Sequence, residues 1–162
     1  MKTKHRKTNV EYIKTNYFKS TPANKVVCEL IWGLPVVKIP GVTNFPDDFL
    51  NIIDNTFRET YGSYLGIMFY NGDPYFAFKN TGSAVCADDD TYNETVGTRI
   101  ALSKAQAKAF DTSVRVYTYL LDEYIKPDIM EMLDLIHNCK CVADDCDNHV
   151  NEIEIQYINT LK

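Results

Sequence analysis

The hydrophobic positions of the chain follow an alternating or uninterrupted pattern in some segments, which predicts strands. Residues 26–32 are almost continuously apolar and β-branched, so they predict a buried strand, and residues 36–39 predict a short second strand after a Gly-Leu-Pro turn. Residues 65–78 place two aromatic-rich arms on either side of an Asn-Gly dipeptide, which predicts a β-hairpin. Residues 82–85 are predicted to extend this sheet, and residues 153–157 alternate between apolar and polar side chains, as in a half-buried strand.

Three other segments have apolar residues spaced three or four positions apart, which predicts helices. The first lies between Pro46 and Gly62. Its apolar positions are Phe49, Ile52, Ile53 and Phe57. The second is alanine-rich at its start and extends over residues 97–125, and the third begins at Ile129 and gives way to a loop over residues 138–149. Together these elements predict an α+β fold, a mainly antiparallel sheet with three or four helices packed on one face.

Charge is distributed unevenly along the 162 residues, a length that suits one domain with its own core. Residues 1–25 carry seven basic side chains and one acidic side chain, Glu11, whereas the rest of the chain carries ten basic and twenty-one acidic ones. We therefore predict a basic N-terminal arm over residues 1–24 and a single α+β domain over residues 25–162. The arm is either a solvated terminus or a segment that contacts phosphates or the acidic face of a second subunit. The acidic body argues against general nucleic-acid binding.

No apolar segment approaches the roughly 20 residues that a membrane-spanning helix needs, and no apolar stretch follows the basic N-terminus as in a secretory signal. We therefore expect no membrane partner and a location in a reducing cytoplasm. In that compartment the five cysteines are expected to be free thiols or metal ligands rather than disulfides.

The segment over residues 82–105 contains the densest group of chemically capable side chains. A strand, a polar loop and a helix are predicted to follow one another here. The first turn of a helix presents backbone N–H groups that favour an anion, so this junction is a candidate site for an anionic ligand. The candidate ligand-binding residues are Asp90, Tyr92, Asn93, Arg99, Lys104 and Lys108.

Each of these side chains has a binding role and a structural alternative. Arg99 can hold a phosphate through its forked donors, Tyr92 can stack on a base, and Asn93 can pair with the edge of that base. Lys104 and Lys108 are four residues apart and share one face of the helix. Alternatively, Asp90 or Asn93 caps the helix, Tyr92 belongs to the core, and both lysines are solvated.

A pattern across the same segment resembles one found in small proteins of Gram-positive bacteriophages and prophages. It consists of Gly-x-Ala-x-Cys, Asp-x-aromatic and Gly-x-x-aliphatic-Ala-x-x-basic-Ala. The residues that carry it are Gly82, Ala84, Cys86, Asp90, Tyr92, Gly97, Ile100, Ala101, Lys104 and Ala105. The chain departs from the pattern at Val85, where lysine is common, at Ala87-Asp88, which replaces a proline-containing step, and at Lys104, which replaces an arginine.

The resemblance carries implications for function. Some small phage proteins of this kind counter host defence, and one group, the anti-Thoeris sponges, binds cyclic ADP-ribose signals and removes them from solution. The resemblance therefore implies a phage-type anti-defence protein in the host cytoplasm that sequesters a small anionic nucleotide signal without cleaving it. Small sponges often build their pockets between subunits, so it also implies a homo-oligomer.

Five potential metal ligands occur within 13 residues near the end of the sequence. They are His137, Cys139, Cys141, Cys146 and His149. Such crowding is typical of four-coordinate zinc, although the Cys-x-Cys spacing is tight for two ligands of one tetrahedron. The segment is therefore either a structural zinc site or a reduced, exposed loop that joins the last helix to the last strand. No other cofactor is expected.

Two other functions compete with nucleotide sequestration. An acidic protein–protein inhibitor would bind a host defence or nucleic-acid-processing complex through Asp88–Asp90 or Asp144–Asp147. A metal-dependent phosphodiesterase would hold Mg²⁺ with Asp88–Asp90. The sequence contains no Gly-x-Ser-x-Gly, His-Glu-x-x-His, phosphate-binding-loop or dinucleotide-binding motif, so we expect a binding protein rather than an enzyme.

Overall fold

The computed structural model describes residues 7–20, 24–86, 93–125 and 129–160. The strands are β1 (Glu11–Ser20), β2 (Lys25–Pro35), β3 (Tyr64–Tyr70) and β4 (Asp73–Val85), and the α-helices are α1 (Phe49–Thr60), α2 (Glu94–Tyr124) and α3 (Ile129–Thr160). The strands form one antiparallel sheet in the order β1-β2-β4-β3. The helices α1 and α2 pack on the same face of this sheet, and α3 packs beside α2. The predicted α+β class, with a mainly antiparallel sheet, is confirmed.

The prediction of an N-terminal arm over residues 1–24 is wrong for residues 11–20, which form the edge strand β1. Residues 11–20 are part of the domain because they pair with β2 from Glu11 opposite Gly33 to Ser20 opposite Lys25. The aromatic and β-branched residues of this segment favour a strand. Its lysines add to the basic charge of the N-terminal residues, and that charge was the basis for predicting an arm. Charged side chains are a common feature of edge strands, where they discourage pairing with other chains. The remainder of the predicted arm, residues 1–6 and 21–23, lies outside the described residues, whereas Lys7 to Val10 precede β1 without regular structure.

The predicted strand over residues 36–39 is wrong. Val36–Lys38 forms a single turn of 3-10 helix. The physical reason is that β2 already pairs with β1 on one side and with β4 on the other, so no edge of β2 is open to a returning strand. The predicted extension over residues 82–85 is present, as the last part of the continuous strand β4.

The helix α1 and the β3–β4 hairpin confirm the sequence-based predictions. The ring of Phe57 packs edge-on against Phe76 of β4 at 5.2 Å and against Tyr64 of β3 at 5.4 Å. Phe49 and Ile53 are buried on the same side of α1. This aromatic cluster fixes α1 over the hairpin end of the sheet.

The helix α2 lies directly on the middle of the sheet. A Cβ atom added to Gly82 of β4 would be 2.0 Å from the carbonyl oxygen of Ala101 and 2.5 Å from the backbone nitrogen of Ala105. Both alanines are fully buried. The run of alanines at the start of α2 therefore permits close approach of the helix to the sheet. The predicted helix is confirmed, and it begins at Glu94 rather than at Gly97.

Residues 138–149 and 153–157 are both part of the helix α3. The predicted loop over residues 138–149 and the predicted strand over residues 153–157 are therefore wrong. Its buried positions recur every three or four residues along the whole helix. They include Met132, Ile136, Cys139, Ala143, Val150 and Ile153. This apolar stripe packs antiparallel to α2, with Lys104 near Glu154 at one end and Tyr117 near Cys139 further along. Within the part of the chain that the structure describes, none of the helices has the length and apolar character needed to cross a membrane.

Candidate functional site

Two adjoining cavities lie where β4 ends, α2 begins and the last turns of α3 pass by. The first, here named the strand-side cavity, has a volume of about 270 Å³, and the second, the helix-side cavity, about 260 Å³. Asn93, Val96 and Tyr157 line both cavities, so together the cavities form one groove. Each cavity is slightly smaller than typical ligand pockets, which start at about 300 Å³.

The start of α2 forms one side of the groove. Asn93 is the N-cap residue, and its side-chain Oδ1 accepts a hydrogen bond from the backbone N–H of Val96 at 3.1 Å. The Nδ2 amide of the same side chain can still donate to a ligand. The first turn of a helix also carries a partial positive charge, so this side of the groove favours a negatively charged group.

The base of the strand-side cavity depends on small residues. Gly97 of α2 lies directly against β2, and an added Cβ would be 3.2 Å from Cγ2 of Val26. Ala84 and Ile100 also line this cavity, and both are buried. Beyond β4, the backbone N–H of Cys86 donates to the carbonyl oxygen of Asn24 at 3.0 Å. The strand-side cavity is therefore apolar at its base and bordered by amide groups.

The last turns of α3 form the opposite side of the groove. Tyr157 contributes an aromatic ring to both cavities. Gln156 and Thr160 line the helix-side cavity, and Ile158 lines the strand-side cavity. Such a set of one aromatic ring, several hydrogen-bonding groups and apolar contacts is typical of sites that hold a small organic ligand.

Of the residues that the structure describes, the two charged side chains that line the groove are Arg99 and Glu154, one in each cavity. Arg99 lines the helix-side cavity, and among the described residues no carboxylate pairs with it. Glu154 lines the strand-side cavity, and its Oε1 lies 3.8 Å from Nζ of Lys104, which offsets its charge. Glu94, in the first turn of α2, forms an ion pair with Lys19 of β1. An anion bound in the helix-side cavity would therefore meet the guanidinium group of Arg99.

No protein-family model, curated protein or solved structure matches this chain. The resemblance to small phage proteins therefore remains an expectation from the sequence motif.

The structure separates the six predicted ligand-binding residues into three groups. Asn93 and Arg99 line the groove. Lys104 lines neither cavity and contacts Glu154, whereas Lys108 donates to the carbonyl oxygen of Thr81 at 2.8 Å, outside both cavities. The other two predicted residues, Asp90 and Tyr92, lie outside the described residues, as do Asp88 and Asp89.

Sequence reasoning missed the contribution of α3 to the groove. The lining residues from this helix are Ile153, Glu154, Gln156, Tyr157, Ile158 and Thr160. They were missed because the alternation of Ile153, Ile155 and Tyr157 favoured a strand. The buried positions 136, 139, 143, 150 and 153 and the half-buried positions 146 and 157 are spaced by three or four residues, a helical pattern that continues through the predicted loop and indicates the helix.

The five potential zinc ligands do not meet, because they lie on different sides of α3. Cys139 is buried, and its Sγ lies 3.9 Å from the carbonyl oxygen of Thr8. His149 lies 3.9 Å from Glu152 on an exposed face. Among the described residues no group of three or more potential ligands is gathered at one point. The predicted five-ligand loop is therefore corrected to a helix on which one pair, His137 and Cys141, is in contact.

Proposed function

We propose that this protein binds a small anionic nucleotide-like ligand in the groove between α2 and α3 and sequesters it without cleaving it. The observation that carries the proposal is that the groove places the aromatic ring of Tyr157, the guanidinium of Arg99 and the first turn of α2 around shared cavities. A ring and an anionic group are the two recognisable parts of a nucleotide, and the groove offers a partner for each.

The anionic part of the ligand would be held by the helix-side cavity. The guanidinium of Arg99 can donate two parallel hydrogen bonds to a phosphate. Hydrogen bonds to charged groups contribute about 1.5–3 kcal/mol, and the helix N-terminus adds about 0.3–1 kcal/mol. These contributions support a phosphate at this end of the groove.

The ring of the ligand would lie in the strand-side cavity. Tyr157 offers a face for stacking, and stacking of a base on an aromatic side chain is worth about 1–3 kcal/mol. Ile100 and Ala84 provide an apolar base beneath the ring, and the Nδ2 amide of Asn93 can donate to an acceptor on its edge.

The mouth of the groove supports a homo-oligomeric arrangement. Val85 and Ile158 line the strand-side cavity and remain 64% and 52% exposed, respectively. A second copy of the chain packed over these side chains would bury them and enclose the ligand. Together with the sequence motif of residues 82–105, this supports a phage-type anti-defence role in the host cytoplasm, in which the protein removes a nucleotide signal from solution.

The experiment is to incubate the purified protein with cyclic ADP-ribose isomers and cyclic oligonucleotides and to follow each compound by chromatography. We expect one compound to be depleted and to return unchanged when the protein is denatured. Its affinity, measured by calorimetry, should fall about tenfold or more in Arg99→Ala, because a charge-assisted hydrogen bond is lost. Tyr157→Ala should weaken binding by a similar factor.

Matched controls separate the groove from general effects of charge. Arg115→Ala removes the same group from an exposed position of the same helix, several turns away, and should leave the affinity unchanged. Lys108→Ala should also leave it unchanged, because this lysine contacts Thr81 outside the cavities. Absence of binding across the panel would overturn the proposal, and a new product peak that disappears in EDTA would favour the phosphodiesterase instead.

The surface of α3 favours a second candidate function, the acidic protein–protein inhibitor. The helix carries seven acidic residues and one lysine. Asp111 of α2 faces carboxylates of α3, and burial together with the nearby charge of Asp147 raises its pKa. This function predicts salt-dependent co-purification with a basic host protein that is lost in the double variant Asp144→Lys and Asp147→Lys and retained in Arg99→Ala.

A further inference from the structure

The side chains of His137 and Cys141 are in contact on the outer surface of α3. They are four residues apart, so they lie one above the other on the same face of the helix. The distance between Nε2 of His137 and Sγ of Cys141 is 3.6 Å. His137 is exposed and Cys141 is partly exposed, so solvent reaches the pair.

The separation of these two atoms is the one that a tetrahedral zinc ion requires. Zinc lies about 2.3 Å from a cysteine sulfur and about 2.0–2.1 Å from a histidine nitrogen. At a tetrahedral angle these bond lengths place the two ligand atoms about 3.6 Å apart. The two side chains therefore need little rearrangement to bind one ion.

We propose that His137 and Cys141 bind Zn²⁺ as a two-ligand chelate on the outer face of α3. A zinc–sulfur bond and a zinc–nitrogen bond form, the S–H bond of the thiol breaks, and its proton passes to the buffer. Two histidines at the same spacing on one helix hold zinc in a well-known class of metal sites. Water molecules complete the coordination shell, so the affinity is lower than that of a closed four-ligand site.

The charge of α3 favours a cation at this position. Asp134 lies three residues before His137, and Asp145 lies four residues after Cys141, so both carboxylates belong to the same stripe of the helix. With seven acidic residues and one lysine, the helix attracts a divalent cation to its surface.

The other thiols of the helix lack this combination of access and partner. Cys139 is fully buried, and its Sγ lies 3.9 Å from the carbonyl oxygen of Thr8, so an ion in solvent does not reach it. Burial, with the charges of Asp147 and Asp145, raises the pKa of Cys146 to about 11. A zinc ligand must be reached by the ion and must lose its proton, so the buried Cys139 and the high-pKa Cys146 are both poor ligands. Cys146 serves as the internal control.

The experiment uses the full chain, kept reduced with a phosphine, and Co²⁺ as a spectroscopic substitute for zinc. We expect a sulfur-to-cobalt charge-transfer band in the near ultraviolet, which Zn²⁺ abolishes by displacement. In Cys141→Ser the band should be absent. In His137→Ala the affinity for Zn²⁺, from competition with a chromophoric chelator, should fall by roughly 10–100-fold or more, since even indirect supporting contacts are worth that factor.

Two matched control variants decide the outcome. Cys146→Ser and His149→Ala remove the same ligand types from elsewhere on α3 and should retain the band and the affinity. Circular dichroism confirms that each variant is folded. A band of equal intensity in Cys141→Ser, its loss in Cys146→Ser, or its absence from the unaltered chain would overturn the proposal.

Discussion

Gly82 and Ala101 touch through their backbones, and no side chain separates strand β4 from helix α2 at this point. A Cβ at position 82 would be 2.0 Å from the carbonyl oxygen of Ala101. Neither group belongs to a flexible side chain, so the contact can be relieved only by movement of the helix. This contact sets the distance between the two layers of the domain.

We therefore expect Gly82→Ala to lower the free energy of unfolding by about 3 kcal/mol, at the upper end of the usual cost of overpacking. Urea denaturation followed by circular dichroism measures the change. Gly62→Ala is the matched control, because an added Cβ there meets no atom within 4 Å. A loss below about 0.5 kcal/mol for Gly82→Ala would show that α2 does not lie on β4 as described.

The indole of Trp32 depends on one side chain from the neighbouring strand. Its Nε1 donates to Oδ1 of Asn80 at 2.7 Å, while its ring stacks on Phe78 with centroids 4.8 Å apart. Asn80→Ala should lower the free energy of unfolding by about 1–3 kcal/mol, because the buried N–H is left without a partner.

Tryptophan fluorescence reports on this contact directly, since the chain contains a single tryptophan. The emission maximum should shift in folded Asn80→Ala. Asn51→Ala, at an exposed position of α1, should change neither stability nor emission. Unaltered emission and stability in Asn80→Ala would contradict the hydrogen bond.

The stability of the domain should depend on pH through Glu11. Hydrogen bonds from Lys38 and Tyr75 lower the pKa of Glu11 below its usual 4.5, and the Tyr75 hydroxyl donates at 2.7 Å. A carboxyl group whose pKa is lower in the folded state contributes stability above its unfolded pKa and loses that contribution as the pH falls through the folded pKa.

Glu11→Gln should therefore be less stable than the unaltered chain at pH 7, by about 1 kcal/mol, and the difference should shrink to near zero as the pH falls well below 4.5. Denaturation midpoints at several pH values test this, with Glu123→Gln, an exposed position of α2, as the control. A constant difference at all pH values would show that the carboxylate charge does not contribute.

Proline at position 140 distinguishes a continuous α3 from a loop over residues 138–149. Lys140 is exposed in the middle of the helix, so Lys140→Pro should cost about 3 kcal/mol and reduce the helical circular dichroism signal. Lys140→Ala should be neutral or slightly stabilising. If this segment were a surface loop, both variants would be tolerated equally.

The sequence predicted the elements whose pattern is strong within one segment. α1 repeats its apolar residues every three or four positions, and an Asn-Gly dipeptide marks the β3–β4 turn, so both follow from local preference. β1 was concealed by its lysines, and the second half of α3 by an alternation of three apolar residues. In both places tertiary packing, against β2 and α2 respectively, decides between two locally acceptable structures.

The same distinction applies to the groove. Asn93 and Arg99 could be singled out because a strand, a loop and a helix start are adjacent in sequence there. Tyr157 lies more than fifty residues further along, and only the antiparallel packing of α3 on α2 brings it to Asn93. The contact of Lys108 with Thr81 likewise depends on how α2 crosses β4, which sequence spacing alone does not determine.

The shared lining of the groove has a consequence for the order of events during synthesis. A ribosome produces Asn24, Ala84 and Asn93 long before Tyr157, so the cavities have no second wall until the last turns of α3 have emerged and docked. If the proposed function holds, a nascent chain would therefore not bind the ligand even when its sheet has already formed. Capture of a ligand would begin only with the finished domain, and the captured molecule would then hold the two ends of the helical hairpin together.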